Sequence, residues 1–70
     1  MRARPSPPPG LIYIRDTASG PGIASRLGVT PGTVRKWRME GRGPQTFKVG
    51  GRVVAREHAV AEYIAAQERA

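Results

Sequence analysis

The 70-residue sequence contains no cysteine, which excludes a disulfide framework and any metal site built on thiolates. It has neither the run of about 20 apolar residues that spans a membrane nor an apolar signal core, so we expect a cytoplasmic protein without membrane contact. Its only histidine, His58, and its few acids show no carboxylate pair and no metal-ligand spacing. We therefore expect no enzyme, no catalytic residue, no cofactor and no metal.

Acidic residues are scarce, and the positive charge is unevenly distributed. Twelve Lys and Arg stand against five Asp and Glu, which gives a formal net charge of +7. Seven of the cations lie between residues 35 and 56, where Glu40 is the only acid. A basic excess concentrated in one third of a chain is typical of a surface that contacts nucleic-acid phosphates.

Seventy residues are enough for one domain with a thin core. Residues 1–10 contain four of the seven prolines and no periodic apolar face, which predicts a disordered, Pro-rich basic arm with Arg2 and Arg4. Two interpretations of the arm stay open, a flexible extension that reaches DNA and a tail without a role. We predict the folded domain over residues 11–70.

A short strand or apolar segment is predicted at Leu11–Ile14, followed by Asp16 or Thr17 as a helix cap. The first helix is predicted from near Pro21 to a tight turn at Gly28. The residues of this helix expected to face inward are Ile23, Ala24 and Leu27.

The second helix has a strong start signal, because Thr30 can cap it and Pro31 can begin it. We predict that it ends at Gly41. Its core side comprises Val34 and Trp37, with Val29 filling the angle to the first helix, and its exposed side comprises Gly32, Arg35, Lys36 and Met39. Two adjacent cations in a short helix, beside the small residues Gly32 and Thr33, favour close approach to a DNA groove over a merely solvated face.

A hairpin is predicted next, since TFKV and RVVA flank Gly50-Gly51, a two-residue turn that needs positive φ. Phe47, Val49 and Val53 are the predicted inward residues, while Arg42, Lys48 and Arg52 would flank the phosphate backbone.

A last helix is predicted from about Arg56 to Gln67. Its apolar positions are Val60, Tyr63 and Ile64, and its acids Glu57, Glu62 and Glu68 lie off that face, solvated or available to a neighbouring protein.

These elements predict an α+β, mainly α fold: a small winged helix-turn-helix with a two-stranded β-hairpin wing and a C-terminal helix. The landmark residues of this arrangement are Gly22-Ile23-Ala24, Leu27-Gly28-Val29-Thr30, Thr33-Val34, Trp37, Glu40-Gly41, Pro44, Val49-Gly50, Arg52-Val53 and Tyr63. They resemble the landmarks of small phage excisionases and MerR-type winged helices. The resemblance covers residues 11–66 and is greatest to the excisionases, the recombination directionality factors. The Arg-, Ala-, Gly- and Pro-rich composition suggests an actinobacterial phage. The chain departs from the family at residues 19–24, where SGPGIA replaces a polar, Glu-Ala-Ala helix start.

The resemblance implies a DNA-binding protein of the host bacterial cytoplasm, associated with the nucleoid when bound. Such a protein binds repeated double-stranded sites beside an attachment site, bends the DNA and directs phage integrase toward excision, with neighbouring copies self-associating on the DNA. Thr33, Arg35 and Lys36 are then assigned to the major groove and Thr30 to a phosphate at the helix start. Arg38, Arg42, Lys48 and Arg52 are assigned to the backbone or minor groove.

The main alternative is a small MerR-like transcriptional regulator of phage or host genes. Full-length regulators of that type add a dimerisation helix and an effector domain, so a free-standing regulator would need another way to dimerise. A terminase small-subunit headpiece or the DNA-binding part of a transposase would likewise require further segments. A basic RNA-binding or protein-binding adaptor stays open, because charge alone does not exclude it. It predicts no preference for a duplex sequence.

Overall fold

The computed structural model describes residues 7–69. The elements follow the order β1 (Leu11–Tyr13), α1 (Ile23–Leu27), α2 (Pro31–Met39), β2 (Phe47–Val49), β3 (Arg52–Arg56) and α3 (Glu57–Arg69). The fold is therefore a small α+β arrangement of helices and an antiparallel sheet, the class that the sequence predicts. Within residues 7–69, no helix has both the length and the apolar character needed to cross a membrane.

The sheet has three strands in the order β1-β3-β2, whereas the sequence predicted a hairpin of two strands. Both pairings are antiparallel, and β1 runs beside β3 with Leu11 opposite Arg56 and Tyr13 opposite Val54. The prediction of two strands was wrong because it missed the pairing of β1 with β3. These strands lie far apart in the chain, and no local sequence pattern reports a pairing between such distant segments.

The central strand β3 is buried on both faces, since Val54 and Ala55 are both fully inaccessible to solvent. Ala55 lies opposite Ile12 and faces the helices with it, as part of the main apolar cluster. Residues opposite each other on neighbouring strands share a face, so Val54 lies on the other face, beside Tyr13 and Phe47. The sequence prediction omitted both buried residues.

The hairpin residues predicted to point inward are only partly confirmed. Phe47 and Val53 are half-buried, and Val53 packs against the core. Val49 is 38% exposed, so its inward assignment was wrong. It pairs with Arg52 next to the turn, on the face of the sheet that points away from the helices.

Helix α1 begins at Ile23 instead of near Pro21, because the extended residue Gly22 is pressed against the preceding backbone. A Cβ on Gly22 would lie 2.5 Å from the carbonyl groups of Ile14 and Arg15. The Asp16 side chain does not occupy the N-cap position, but its Oδ1 accepts hydrogen bonds from the Gly22 N–H at 2.9 Å and from the Ser25 hydroxyl at 2.6 Å. These contacts fix the segment between β1 and α1.

The connection between α1 and α2 agrees with the sequence prediction. Helix α1 ends at Gly28, which has a φ of 71°, and the Val29 N–H donates to the Ala24 carbonyl at 2.9 Å. Thr30 caps α2 by accepting a hydrogen bond from the Thr33 N–H, and Pro31 is the first helical residue. Helix α2 ends at Met39 with Glu40 as C-cap, slightly before the predicted end at Gly41.

The core lies between the helices and one face of the sheet. Its buried members are Ile12, Ile14, Ile23, Ala24, Val34, Ala55 and Val60, with Leu27, Val29, Val53 and Ile64 packed against them. Trp37 was predicted to face this core, but it is only half-buried and does not belong to the apolar cluster. Its ring centroid lies 6.5 Å from that of Tyr63. Helix α3 covers Glu57–Arg69 where residues 56–67 were predicted.

The predicted arm falls mostly outside the described residues, and this includes Arg2 and Arg4. Its last residues are described, and they form a turn in which the Leu11 N–H donates to the Pro8 carbonyl at 3.1 Å. The Gly10 carbonyl accepts a hydrogen bond from the Glu57 N–H at 2.9 Å. The chain before β1 is thereby joined to the first residue of α3.

Candidate nucleic-acid interface

The exposed side of α2 carries three of the residues assigned to nucleic acid. Arg35, Lys36 and Arg38 are all exposed, while Val34 is buried against the core. Burial of a single stripe fixes the rotation of a helix, so packing at Val34 turns Arg35 and Lys36 toward solvent. Arg38 is four residues after Val34 and is exposed one turn further along the helix.

The first turn of α2 presents small polar groups. The Thr30 and Thr33 hydroxyl oxygens are 2.9 Å apart, so one donates to the other and the second hydroxyl hydrogen is left for another acceptor. Gly32 is exposed, and a Cβ there would have only the Thr30 Oγ1, at 3.9 Å, within reach. A phosphate group could therefore approach this turn closely.

Arg42 lies beyond the end of α2 and is partly engaged within the protein. Its Nη1 is 3.3 Å from Glu40 Oε1, and its guanidinium lies 5.8 Å from the centroid of the Trp37 ring. Arg42 and Arg38 line the same open depression beside the segment that leads to β2. The ion pair is exposed and therefore weak, so Arg42 can exchange Glu40 for an external anion at small cost.

The hairpin turns at Gly50 and Gly51, whose φ angles of 58° and 80° match the positive values that the sequence predicted. Lys48 and Arg52 are both exposed. However, Lys48 is opposite Val53, whereas Arg52 is opposite Val49, so the two cations project from opposite faces of the hairpin. The structure does not bring them together as one strip.

Two arginines of β3 stack on aromatic rings on the face of the sheet that carries Val54. The Arg52 guanidinium lies 5.3 Å from the centroid of the Tyr13 ring, and the Arg56 guanidinium lies 5.7 Å from that of Phe47. Cation–π contacts of this kind hold the charged group in place without neutralising it. This role of Tyr13 could not be predicted from the sequence, because the contact depends on the pairing of β1 with β3.

The predicted site residues do not form one continuous site but lie in separate parts of the surface. Arg35 and Arg52 line one cleft, and Arg15, which the sequence analysis did not single out, lines it too. Arg38 and Arg42 line the second depression, and Lys48 lines neither. No sequence signal could have found Arg15, since it meets the other two arginines only through the packing of three separate elements.

Ion pairing divides the charged residues into two sets. On the α3 side, Arg26 Nη2 lies 3.2 Å from Glu57 Oε1, and His58 Nε2 lies 3.3 Å from Glu62 Oε2. On the other side, six cations of α2 and the hairpin have no ion-pair partner among residues 7–69, namely Arg35, Lys36, Arg38, Lys48, Arg52 and Arg56. The candidate interface, defined as the exposed cations of α2 and the hairpin, therefore keeps most of its positive charge.

No protein-family model, curated protein or solved structure matches this chain. The resemblance to excisionases and MerR-type domains consequently depends on the landmark residues of the sequence alone.

Proposed function

We propose that the protein binds double-stranded DNA in a sequence-specific manner as a winged helix-turn-helix module, with α2 in the major groove and the β2–β3 hairpin as the wing. The observation that carries the proposal is the set of exposed cations on α2 and the hairpin that have no acidic partner among residues 7–69. A protein surface that keeps so many uncompensated cations together is suited to an external polyanion.

The dimensions of α2 support a duplex as that polyanion. An α-helix with its side chains is about 10–12 Å in diameter, which fits the major groove of B-DNA, about 12 Å wide. The nine residues of α2 form about two and a half turns that could lie in it. The proposed groove residues are Thr33, Arg35 and Lys36, with Gly32 allowing the helix to approach the bases. Thr30 would donate to a phosphate at the start of α2.

The remaining cations are proposed to hold the module on the backbone. Arg38 and Arg42 lie toward the end of α2 and beyond it, while Lys48 and Arg52 lie on opposite faces of the hairpin. A hairpin with a cation on each face can lie along or within the minor groove and contact a phosphate strand on either side. Such contacts fix register and orientation but carry no sequence information.

The finer proposal is that the protein is a phage excisionase, as the landmark residues suggest. Bending a site of 20–30 bp by 40–90° costs on the order of 1–6 kcal/mol, which is a large fraction of what one small module can supply. Several self-associating copies on adjacent sites would share that cost. In this proposal the bent complex recruits phage integrase and directs it to excision, and the protein itself performs no catalysis.

The test is a nuclease footprint of the purified protein over the attachment region of the genome that encodes it and over the promoter beside its gene. An excisionase should protect several closely spaced sites beside the attachment core, with enhanced cleavage between them. A single palindromic site at the promoter would instead identify a small MerR-like regulator. Absence of protection at low salt would refute DNA binding, and cleavage or joining of DNA by the protein alone would refute the non-catalytic assignment.

A further inference from the structure

A cleft of about 270 Å³ lies where β1 leaves the sheet, next to the tip of the hairpin. The last residue of β1, Tyr13, is opposite Val54, whereas β3 extends further to Arg52. The chain after Tyr13 turns away toward α1, and this divergence opens the cleft. Residues from three elements line it: Arg15 after β1, Arg35 on α2 and Arg52 on β3.

The charge in this cleft is strongly positive. Three arginines line it against one acidic residue, Asp16. That carboxylate already accepts hydrogen bonds from the Gly22 N–H and the Ser25 hydroxyl, and these bonds lower its pKa below the ordinary value of 3.8. None of the three arginines forms an ion pair or a side-chain hydrogen bond with any residue between 7 and 69.

The three arginines are held by the fold and not merely adjacent. The Arg52 guanidinium rests over Tyr13, and Arg35 is fixed by the packing of its neighbour Val34. The backbone of Arg15 is fixed because Gly22 packs against its carbonyl group and the Ala24 N–H donates to the Ile14 carbonyl at 3.1 Å. A preorganised cluster of cations binds an anion without first ordering its own backbone.

We infer that this cleft binds one phosphate group of the duplex backbone, with Arg15, Arg35 and Arg52 as its ligands. The inference deepens the proposed function and rests on it. Arginine suits the role because its planar guanidinium can donate two parallel hydrogen bonds to phosphate oxygens. Arg35 then acts as a phosphate ligand at the edge of the major groove, which leaves Thr33 and Lys36 to approach the bases.

The test compares Arg15→Gln with Arg69→Gln, a matched change of an exposed arginine in the last turn of α3. Binding to a duplex is measured by fluorescence anisotropy over a series of salt concentrations. Arg15→Gln should bind about tenfold more weakly to specific and random duplexes alike, and the slope of log affinity against log salt should become shallower by about 0.9. Arg69→Gln should match the wild type, and Arg15→Lys should keep the wild-type slope.

A second measurement tests whether the three arginines share one phosphate. Single methylphosphonate substitutions remove the charge of one backbone position at a time along a footprinted duplex. One position should weaken binding of the wild type most, and the same position should have a smaller effect on each of Arg15→Gln, Arg35→Gln and Arg52→Gln, because each variant has already lost one of the three contacts to that phosphate. If the effect is reduced at a different position for each variant, the shared site is overturned.

The outcomes separate this inference from the proposed function. If Arg15→Gln keeps the wild-type slope of log affinity against log salt while Lys36→Gln weakens duplex binding, the phosphate site in the cleft is refuted and the proposal of DNA binding stands. If the wild type binds no duplex at low salt, the proposed function fails as well. Titration with inorganic phosphate, followed by NMR of the arginine Nε–H groups, distinguishes a phosphate of the duplex from free phosphate. If the signals of all three arginines shift, while Arg15→Gln leaves the salt dependence of duplex binding unchanged, free phosphate is the ligand and the assignment to DNA is overturned.

Discussion

The α3 side of the molecule and the α2–hairpin side differ in how their charged residues are paired. On the α3 side, Glu57 pairs with Arg26 and Glu62 approaches His58. On the α2–hairpin side, only Arg42 has an acidic partner among residues 7–69, and that partner is exposed. The first surface pairs Glu57 and Glu62 within the protein, whereas most cations of the second surface have no such partner among the described residues.

Stability alone does not explain the second surface. Neighbouring like charges raise the energy of the folded state. The helix dipole offsets this only in part, since it favours Lys36 and Arg38 in the last turn of α2 but does nothing for the cations of the hairpin. A fold that needed only solubility could have distributed these residues evenly. The contrast is therefore best explained by binding of a polyanion to one side.

Reversal of charge on α2 should have the largest effect. The double variant Arg35→Glu/Lys36→Glu should bind a duplex about a hundredfold more weakly or worse, since each lost contact is worth roughly 1–3 kcal/mol. Both residues are exposed, so the melting temperature should change little. Anisotropy and thermal unfolding measure the two quantities, and Arg69→Glu on α3 is the control. Equal losses in both variants would show that net charge, not location, governs binding.

Trp37 connects the two sides, because it belongs to α2 and packs near Tyr63 of α3. Trp37→Ala should lower the free energy of unfolding by about 2–4 kcal/mol, somewhat less than for a fully buried tryptophan. Urea unfolding measures the change. The control is Met39→Ala, since the Met39 side chain is 86% exposed and its loss should cost less than about 0.5 kcal/mol. Similar values for both variants would contradict the packing role of Trp37.

Arg52→Ala tests the hairpin. It should weaken binding by about 1–2 kcal/mol on specific and random duplexes alike, and the salt slope should become shallower by about 0.9. The reason is that Arg52 is expected to contact phosphate and not bases. An unchanged slope would remove this arginine from the interface, and a loss confined to the specific duplex would show that it reads a base.

The ion pair on the α3 side should contribute much less. Glu57→Gln removes an exposed partner of Arg26 and should reduce stability by about 0.2–1 kcal/mol at low salt, with a smaller effect at high salt. Duplex binding should stay within twofold of the wild type. A large loss of affinity would show that α3 also contacts the DNA and that the two sides do not differ as described.

The smallest expected effect concerns Asp16, whose pKa is lowered by the Gly22 N–H and then by the Ser25 hydroxyl. Because the pKa is lower in the folded state, the carboxylate stabilises the fold above pH 3.8, and this contribution is lost as the pH falls through the folded-state pKa. Asp16→Asn should therefore melt below the wild type at neutral pH and approach it in acid. A melting difference that did not change with pH would contradict this linkage.

Local signals predicted the helical half of the fold well. Thr30, Pro31 and Gly28 each act through neighbouring backbone, so the cap, the start and the turn could be read from adjacent residues. The hairpin turn was predicted for the same reason, since Gly50-Gly51 requires nothing beyond its own φ angles.

The errors arose where distant segments meet. The side of each hairpin residue was ambiguous because Val53, Val54 and Ala55 are all apolar, and alternation cannot assign a strand that is buried on both faces. Helix α1 begins later than predicted, because Gly22 packs in an extended conformation against the backbone of Ile14 and Arg15. The same long-range packing brings Arg15 into the candidate site, so its role could not have been predicted from sequence.

The most direct test of the assignment of one side to DNA is an NMR titration of the ¹⁵N-labelled protein with a duplex. We expect chemical-shift changes in α2, the β2–β3 hairpin and the Arg15 segment, which should weaken as salt is added, with α3 residues beyond Val60 unaffected. Changes centred on α3, or no changes at low salt, would contradict the account.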